Sequence, residues 1–117
     1  MTQPLVSSHF PYLPLHLDVG ARAFDVEALL DTGFDGDVAM PPSHLTGGGV
    51  PSGYMTCRLA DGTSLSLPVY RATVKVGALG PFRVYVVALG DEMLVGRGVS
   101  DRLRVTLDHG QSLTIEP

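Results

Sequence analysis

The sequence predicts an all-β domain, a compact barrel or sandwich of short strands. Three observations carry this. Apolar and polar residues alternate with period two through most of the 117 residues, which places successive apolar side chains on one face of a strand. Turn-forming residues punctuate those runs. Fourteen glycines and nine prolines suit many short strands and poorly suit helices.

The first alternating run is Leu15, Leu17 and Val19, interleaved with His16 and Asp18. Val19-Gly20-Ala21-Arg22 turns it into a second run, Phe24, Val26, Ala28 and Leu30. A short strand is expected within Phe34 to Pro41, then one helical turn at Ser43–Thr46 after Pro41-Pro42. Gly47 to Gly53 reads as a loop without fixed structure of its own. Asp61-Gly62 is the strongest tight-turn dipeptide and leads into Leu65, Leu67 and Val69. Val74 and Val76 follow, then a looser hairpin at Gly77–Pro81, then Phe82, Val84 and Val86. A second helical turn is expected between Arg97 and Arg102. Leu103, Val105 and Leu107, the turn Asp108-His109-Gly110, and Leu113 with Ile115 close the series.

This length fits one domain, residues 1–117, and a hydrophobic fraction of 44% is enough for a packed core. Charged residues are only 17%, low for a free surface and suggestive of a shared interface. The net charge is −4, with one lysine, Lys75, and seven scattered arginines, which argues against a nucleic-acid partner. No apolar stretch is long enough for a membrane span, so no membrane partner is expected. Met1-Thr-Gln-Pro-Leu-Val lacks the basic-then-apolar order of a secretion signal, and the lone Cys57 has no partner for an internal disulfide. A cytoplasmic protein is expected. His9, His16, His44 and His109 share no metal-ligand spacing, so neither metal nor cofactor is expected. Gly47-Gly48-Gly49 lacks the Lys-Ser/Thr of a phosphate loop, and Ser7-Ser8-His9 is a local cluster rather than a triad.

Asp31-Thr32-Gly33 ends the apolar run Phe24–Leu30. A carboxylate delivered by a hydrophobic strand into a tight turn is costly unless it has a partner or a task. The tripeptide occurs once in the chain, so a carboxylate pair would need a second molecule. Downstream come Leu59-Ala-Asp-Gly-Thr63 and Met93-Leu-Val-Gly-Arg-Gly-Val-Ser-Asp-Arg-Leu103. In order and spacing these segments, with Ala28–Gly36, resemble the retropepsin-like (retroviral-type) aspartic proteases, in particular their small bacterial members, over roughly residues 12–116.

The resemblance implies a closed acid-protease-type barrel, one retropepsin-like subunit with one short C-terminal helix. It implies an aspartic endopeptidase that cleaves peptide or protein substrates as a homodimer. Asp31 would be the catalytic carboxylate, Thr32 would brace the turn across the dimer, and Gly33 would admit the substrate backbone. Phe34 and Asp35 would contact substrate, as would Ala60, Asp61 and Gly62 at the tip of a flap. Leu94, Val95 and Gly96 would pack behind the catalytic loop, and Arg97 would pair with Asp35. The apolar end strands Leu5-Val6 and Leu113–Ile115 would contribute to the dimer interface, since they would otherwise be exposed edges. Two positions depart from the family: Phe34 replaces a small residue of the viral enzymes, and Gly98 stands where Asn or Asp is usual. These departures keep a second reading in play, a non-catalytic peptide-binding domain of the same fold.

Overall fold

The computed structural model describes residues 5–7, 9–47 and 49–117. Residues 1–4, Ser8 and Gly48, the last inside the expected glycine loop, lie outside the described residues. In chain order the strands are β1 (Leu5–Ser7), β2 (Tyr12–Val19), β3 (Arg22–Leu30), β4 (Val38–Met40), β5 (Gly53–Arg58), β6 (Ser64–Val76), β7 (Leu79–Ala88), β8 (Leu94–Val95), β9 (Arg104–Asp108) and β10 (Ser112–Glu116). The helical content is a 3-10 turn at Pro42–Leu45 and a single α turn, α1 (Arg97–Ser100). Among the described residues no helix is long and apolar enough to cross a membrane.

Six strands close on themselves in the order β2-β3-β8-β4-β7-β6, with β6 returning to pair with β2 through Leu17 and Val74. The expected all-β barrel with one short helix is thus the observed architecture. β5 extends the outer end of β6 as a hairpin arm. β1, β10 and β9 form a separate three-stranded sheet.

The alternation sets which side chains fill the barrel. Leu13, Leu15, Leu17 and Val19 of β2 are buried and pack with Val74 and Val76 of β6 and Val84 and Val86 of β7. Burying a Leu or Val side chain contributes about 1.5–3 kcal/mol relative to exposure, so this inward face fixes the strand register. Leu113 and Ile115 belong to the same core and are fully buried. The reading of Leu113–Ile115 as an edge that a second copy must cover is therefore corrected: β10 is paired on one side with β1 and on the other with β9, and its apolar side chains point inward. The exposed apolar residues of this sheet are Val6 and Leu107.

The turns follow their residues. Gly20 at φ 59° and Gly77 at φ 60° supply left-handed backbone in tight two-residue turns. The second is tighter than the expected Gly77–Pro81 loop, because Val76 pairs directly with Leu79. The segment after the 3-10 turn is held at its far end: the Ser52 N–H donates to the Val69 carbonyl at 2.8 Å, and the Arg71 N–H donates to Ser52 Oγ at 3.0 Å.

Candidate active site

Asp31 is placed by β3, and β3 is placed by a long-range pairing. β8 lies between β3 and β4, parallel to β3 through Leu29–Leu94 and Leu30–Val95, and antiparallel to β4 through Val38–Val95. This threads the Leu94-Val95 pair directly behind the Asp31 loop. The Leu29 N–H donates to the Met93 carbonyl and the Asp31 N–H to the Val95 carbonyl, both at 2.9 Å. The strand therefore holds the aspartate's own backbone. Leu94 and Val95 lie alongside β3, and Gly96 leads from them into α1.

Beyond Asp31 the chain turns sharply. The Gly33 N–H donates to Asp31 Oδ1 at 3.0 Å, and the Phe34 N–H donates to the Asp31 carbonyl at 3.2 Å. Asp31 is half-buried, while Thr32 and Gly33 are exposed. Among the described residues Asp31 Oδ2 and the Thr32 hydroxyl have no hydrogen-bond partner within the chain. One oxygen thus orients the carboxylate while the other is free to act, and the neighbouring hydroxyl is free to bond outward.

The loop is locked against α1 by main-chain bonds. Gly96 N–H donates to the Asp37 carbonyl at 2.9 Å, Arg97 N–H to the Phe34 carbonyl at 2.9 Å, and Gly98 N–H to the Gly36 carbonyl at 3.0 Å. This corrects the expected Arg97–Asp35 ion pair. No such pair exists among the described residues, and both side chains are exposed. The helix is tied to the loop, but through backbone amides.

Close approach explains the glycines. A Cβ on Gly96 would lie 2.3 Å from the Gly36 carbonyl oxygen and 2.5 Å from that of Phe34. On Gly36 it would lie 2.5 Å from the tip of the Phe34 ring. Phe34 therefore folds flat over its own loop, and Gly36 makes room for it. On Gly98 a Cβ would lie 1.8 Å from Asp37 Oδ1. The departures at Phe34 and Gly98 are thus accommodated locally, by Gly36 in one case and by the inward-set Asp37 in the other. Asp37 Oδ2 also accepts the Tyr85 N–H at 2.8 Å, fastening the loop to β7.

A cleft of about 510 Å³ opens beside this loop. Phe34, Gly36 and Asp37 contribute from the loop, Tyr54 and Met55 from the β5 arm, and Val69, Arg71, Tyr85 and Val87 from the outer face of β6 and β7. The last four are cross-strand partners, Val69 with Val87 and Arg71 with Tyr85. Of the expected substrate contacts, Phe34 lines the cleft. Asp35 is exposed and outside it, as are Ala60, Asp61 and Gly62 at the tip of the β5–β6 hairpin. The tip is a closed turn: Leu59 N–H donates to the Thr63 carbonyl at 2.8 Å and Gly62 N–H to the Leu59 carbonyl at 3.0 Å. There the Thr63 hydroxyl at 2.6 Å and the Thr63 N–H at 2.9 Å both donate to Asp61 Oδ1 and hold its carboxyl below the ordinary range.

The remaining cleft residues were missed by sequence reasoning. A signal for them exists in β6, where Leu65, Leu67 and Val69 share one parity and Val74 and Val76 share the other. The two sets are opposite faces of a single strand. The even face fills the barrel and the odd face lines the hairpin arm and the cleft.

No family model matches the sequence, and no curated protein matches it. Solved structures do. A retropepsin-like aspartic protease from Rickettsia conorii superposes with a TM-score of 0.63 at 14% identity, covering 97% of this chain and 90% of that one. The protease of Simian Foamy Virus (mac) matches with a TM-score of 0.49 at 23% identity, over 73% of this chain and 88% of that one. The fold of this chain is retropepsin-like, as the Asp31-Thr32-Gly33 motif and its downstream segments imply.

Proposed function

We propose that this protein is an aspartic endopeptidase, active as a homodimer in which Asp31 of each copy forms a catalytic pair. The observation that carries the reading is the state of Asp31: a half-buried carboxylate on a backbone fixed by Val95, with one oxygen bound by the Gly33 amide and the other free, beside a cleft roofed by a hairpin.

The chemistry follows from pairing. Two carboxylates within a few ångströms cannot both ionise, so they share one proton and titrate as a unit. The ionised member removes a proton from a water held between them as that oxygen attacks the peptide carbonyl carbon. The protonated member gives its proton to the carbonyl oxygen. When the tetrahedral intermediate collapses, the C–N bond breaks and the departing amine takes up a proton, leaving a carboxylic acid and an amine. The exposed Gly33 backbone leaves room for an extended peptide, and the β5–β6 hairpin closes over it and excludes water.

A symmetric interface brings the same residue twice to one axis, which is how a single motif yields a pair. Two features support a second copy beside the catalytic loop. The Thr32 hydroxyl is free within the chain. A groove lined by Leu30, Thr32, Leu103, Val105 and Leu107 runs next to it, with Leu107 53% exposed. The unpaired Cys57 suits a reducing compartment, and we assign the protein to the cytoplasm.

Asp31→Asn keeps size and shape and removes the ionisable group. It should abolish cleavage of an unfolded protein at mildly acidic pH and leave molar mass in solution unchanged. Undiminished cleavage by this variant would sink the proposal. Tight binding of extended peptides by the wild type, with no hydrolysis at any pH, would establish the non-catalytic reading instead.

A further inference from the structure

The outward face of β6 and β7 carries a second groove, of about 710 Å³, which shares Asp37, Arg71 and Tyr85 with the cleft. The two adjoin at that rim. Past the shared rim the second groove is lined by Arg83 and Arg102. Three of the seven arginines thus line one groove of a chain whose net charge is −4.

Arginines in such a place ordinarily serve local carboxylates, and these do not. Among the described residues none of the three forms an ion pair. The two carboxylates in the groove are engaged elsewhere: Asp37 Oδ2 accepts the Tyr85 N–H at 2.8 Å, and Asp18 Oδ2 lies 3.4 Å from His16 Nε2. Arg102 is held in place without an acidic partner. Its guanidinium sits 5.6 Å from the centre of the Phe82 ring, and Nη1 donates to the Arg83 carbonyl at 2.9 Å. A guanidinium has five N–H donors in a fixed fork, so this leaves donors unspent in a preset orientation. The arrangement is a concave, net cationic surface continuous with an apolar peptide cleft.

An extended peptide places every second side chain on one face, about 6.6–7 Å apart. With an apolar residue against Tyr54, Met55 and Val87, same-face residues further along the strand run past Arg71 toward Arg83 and Arg102. We propose that this arginine groove is an accessory subsite that recognises an acidic side chain of the bound peptide, with Arg71 as the principal specificity residue. The inference rests on the peptide-cleft reading above, but it requires binding only and not hydrolysis. Charge-assisted, forked contacts to a carboxylate are what guanidinium groups make best.

The test uses fluorescence anisotropy with labelled extended peptides, apolar at the centre, in which one Glu is moved through the sequence, each paired with its Gln twin. At low salt one position should favour Glu over Gln about fivefold. High salt should close that gap, as should Arg71→Glu or Arg83→Glu. Both arginines are exposed, so either variant should keep the wild-type unfolding curve, and each serves as a check on the other. Asp31→Asn should retain the preference. No Glu preference at any position, or a preference that survives both charge reversals, would overturn the subsite. Hydrolysis of the same peptides by the wild type is read separately: a Glu preference without cleavage refutes the endopeptidase and keeps the groove, whereas cleavage without preference does the reverse.

Discussion

Asp31-Thr32-Gly33 on the floor of the site and Asp61-Gly62-Thr63 at the hairpin tip contain the same three residue types and share one side-chain-to-backbone bond. In each, the amide two residues on donates to the aspartate Oδ1, at 3.0 Å from Gly33 and 2.9 Å from Thr63. The order of the last two residues separates them. At the tip, threonine comes third and its hydroxyl also bonds the carboxylate, at 2.6 Å. On the floor, threonine comes second, and within the chain its hydroxyl leaves the carboxylate alone. The surroundings differ as well. The floor loop is tied to β8 and α1 by the Asp31, Arg97 and Gly98 amides, whereas the tip bonds only to itself. A carboxylate meant to react needs a rigid frame and a free oxygen, and the floor turn has both. The tip carboxylate takes both Thr63 bonds on Oδ1, so its Oδ2 is also without a partner among the described residues, but it sits on an exposed arm without such a frame.

The same substitution in the two places should separate these frames most widely. In Gly96→Ala the new Cβ meets backbone oxygens at 2.3 and 2.5 Å, and neither can swing aside. A loss of about 3 kcal/mol or more is expected, against a total of about 5–15 kcal/mol for a domain of ordinary stability. Urea unfolding should show a strongly lowered midpoint or no folded protein. A midpoint within experimental error of the wild type would mean that the floor is not locked as described.

Gly62→Ala should be milder. Nothing lies within 4 Å of the new Cβ, but the backbone sits at φ +89°, where an L side chain costs about 1–2 kcal/mol. That strain is confined to the tip. Hydrogen exchange should speed up at the Leu59 and Gly62 amides and stay unchanged at Asp31 and Gly96. Equal acceleration at floor and tip would show that the two turns open together.

How much of this contrast is legible in the sequence depends on how far apart the partners lie. The β2 core residues Leu15, Leu17 and Val19 stand out, because alternation is local and one buried face fixes it. Asp31 stands out because Asp31-Thr32-Gly33 closes the run that ends in Ala28-Leu29-Leu30. The frame of Asp31 is harder to see, since it depends on a parallel pairing of Leu29–Leu30 with Leu94–Val95, more than sixty residues away, and the two-residue strand β8 carries almost no periodic signal. The cleft wall is hidden for another reason: Val69, Val87 and Tyr85 come together only through the β6–β7 register. Leu113 and Ile115 show the limit of composition, because an apolar strand reads the same whether its covering is another chain or its own core. Arg97 and Asp35 show the limit of charge matching, since here amides make the connection that opposite charges suggest.

The smallest effect bears on the threonine. The Thr63 hydroxyl is the leading cause that holds the Asp61 carboxyl below its ordinary range, and the Thr63 amide comes second. A carboxyl lowered in the folded state favours the ordered tip above its ordinary pKa, and that contribution is lost as pH falls through the lowered value. Thr63→Val removes the hydroxyl and keeps the amide, so the Asp61 titration should move up toward the ordinary carboxylate range without reaching it. The tip should then loosen at a higher pH than in the wild type. Carbon-detected titration of the Asp61 carboxyl reads the first effect, and exchange at the Leu59 amide reads the second. Because the tip is exposed, global stability should stay the same. An unchanged Asp61 titration in this variant would remove the distinction between the two turns, since the position of the threonine would then have no bearing on how free the carboxylate is.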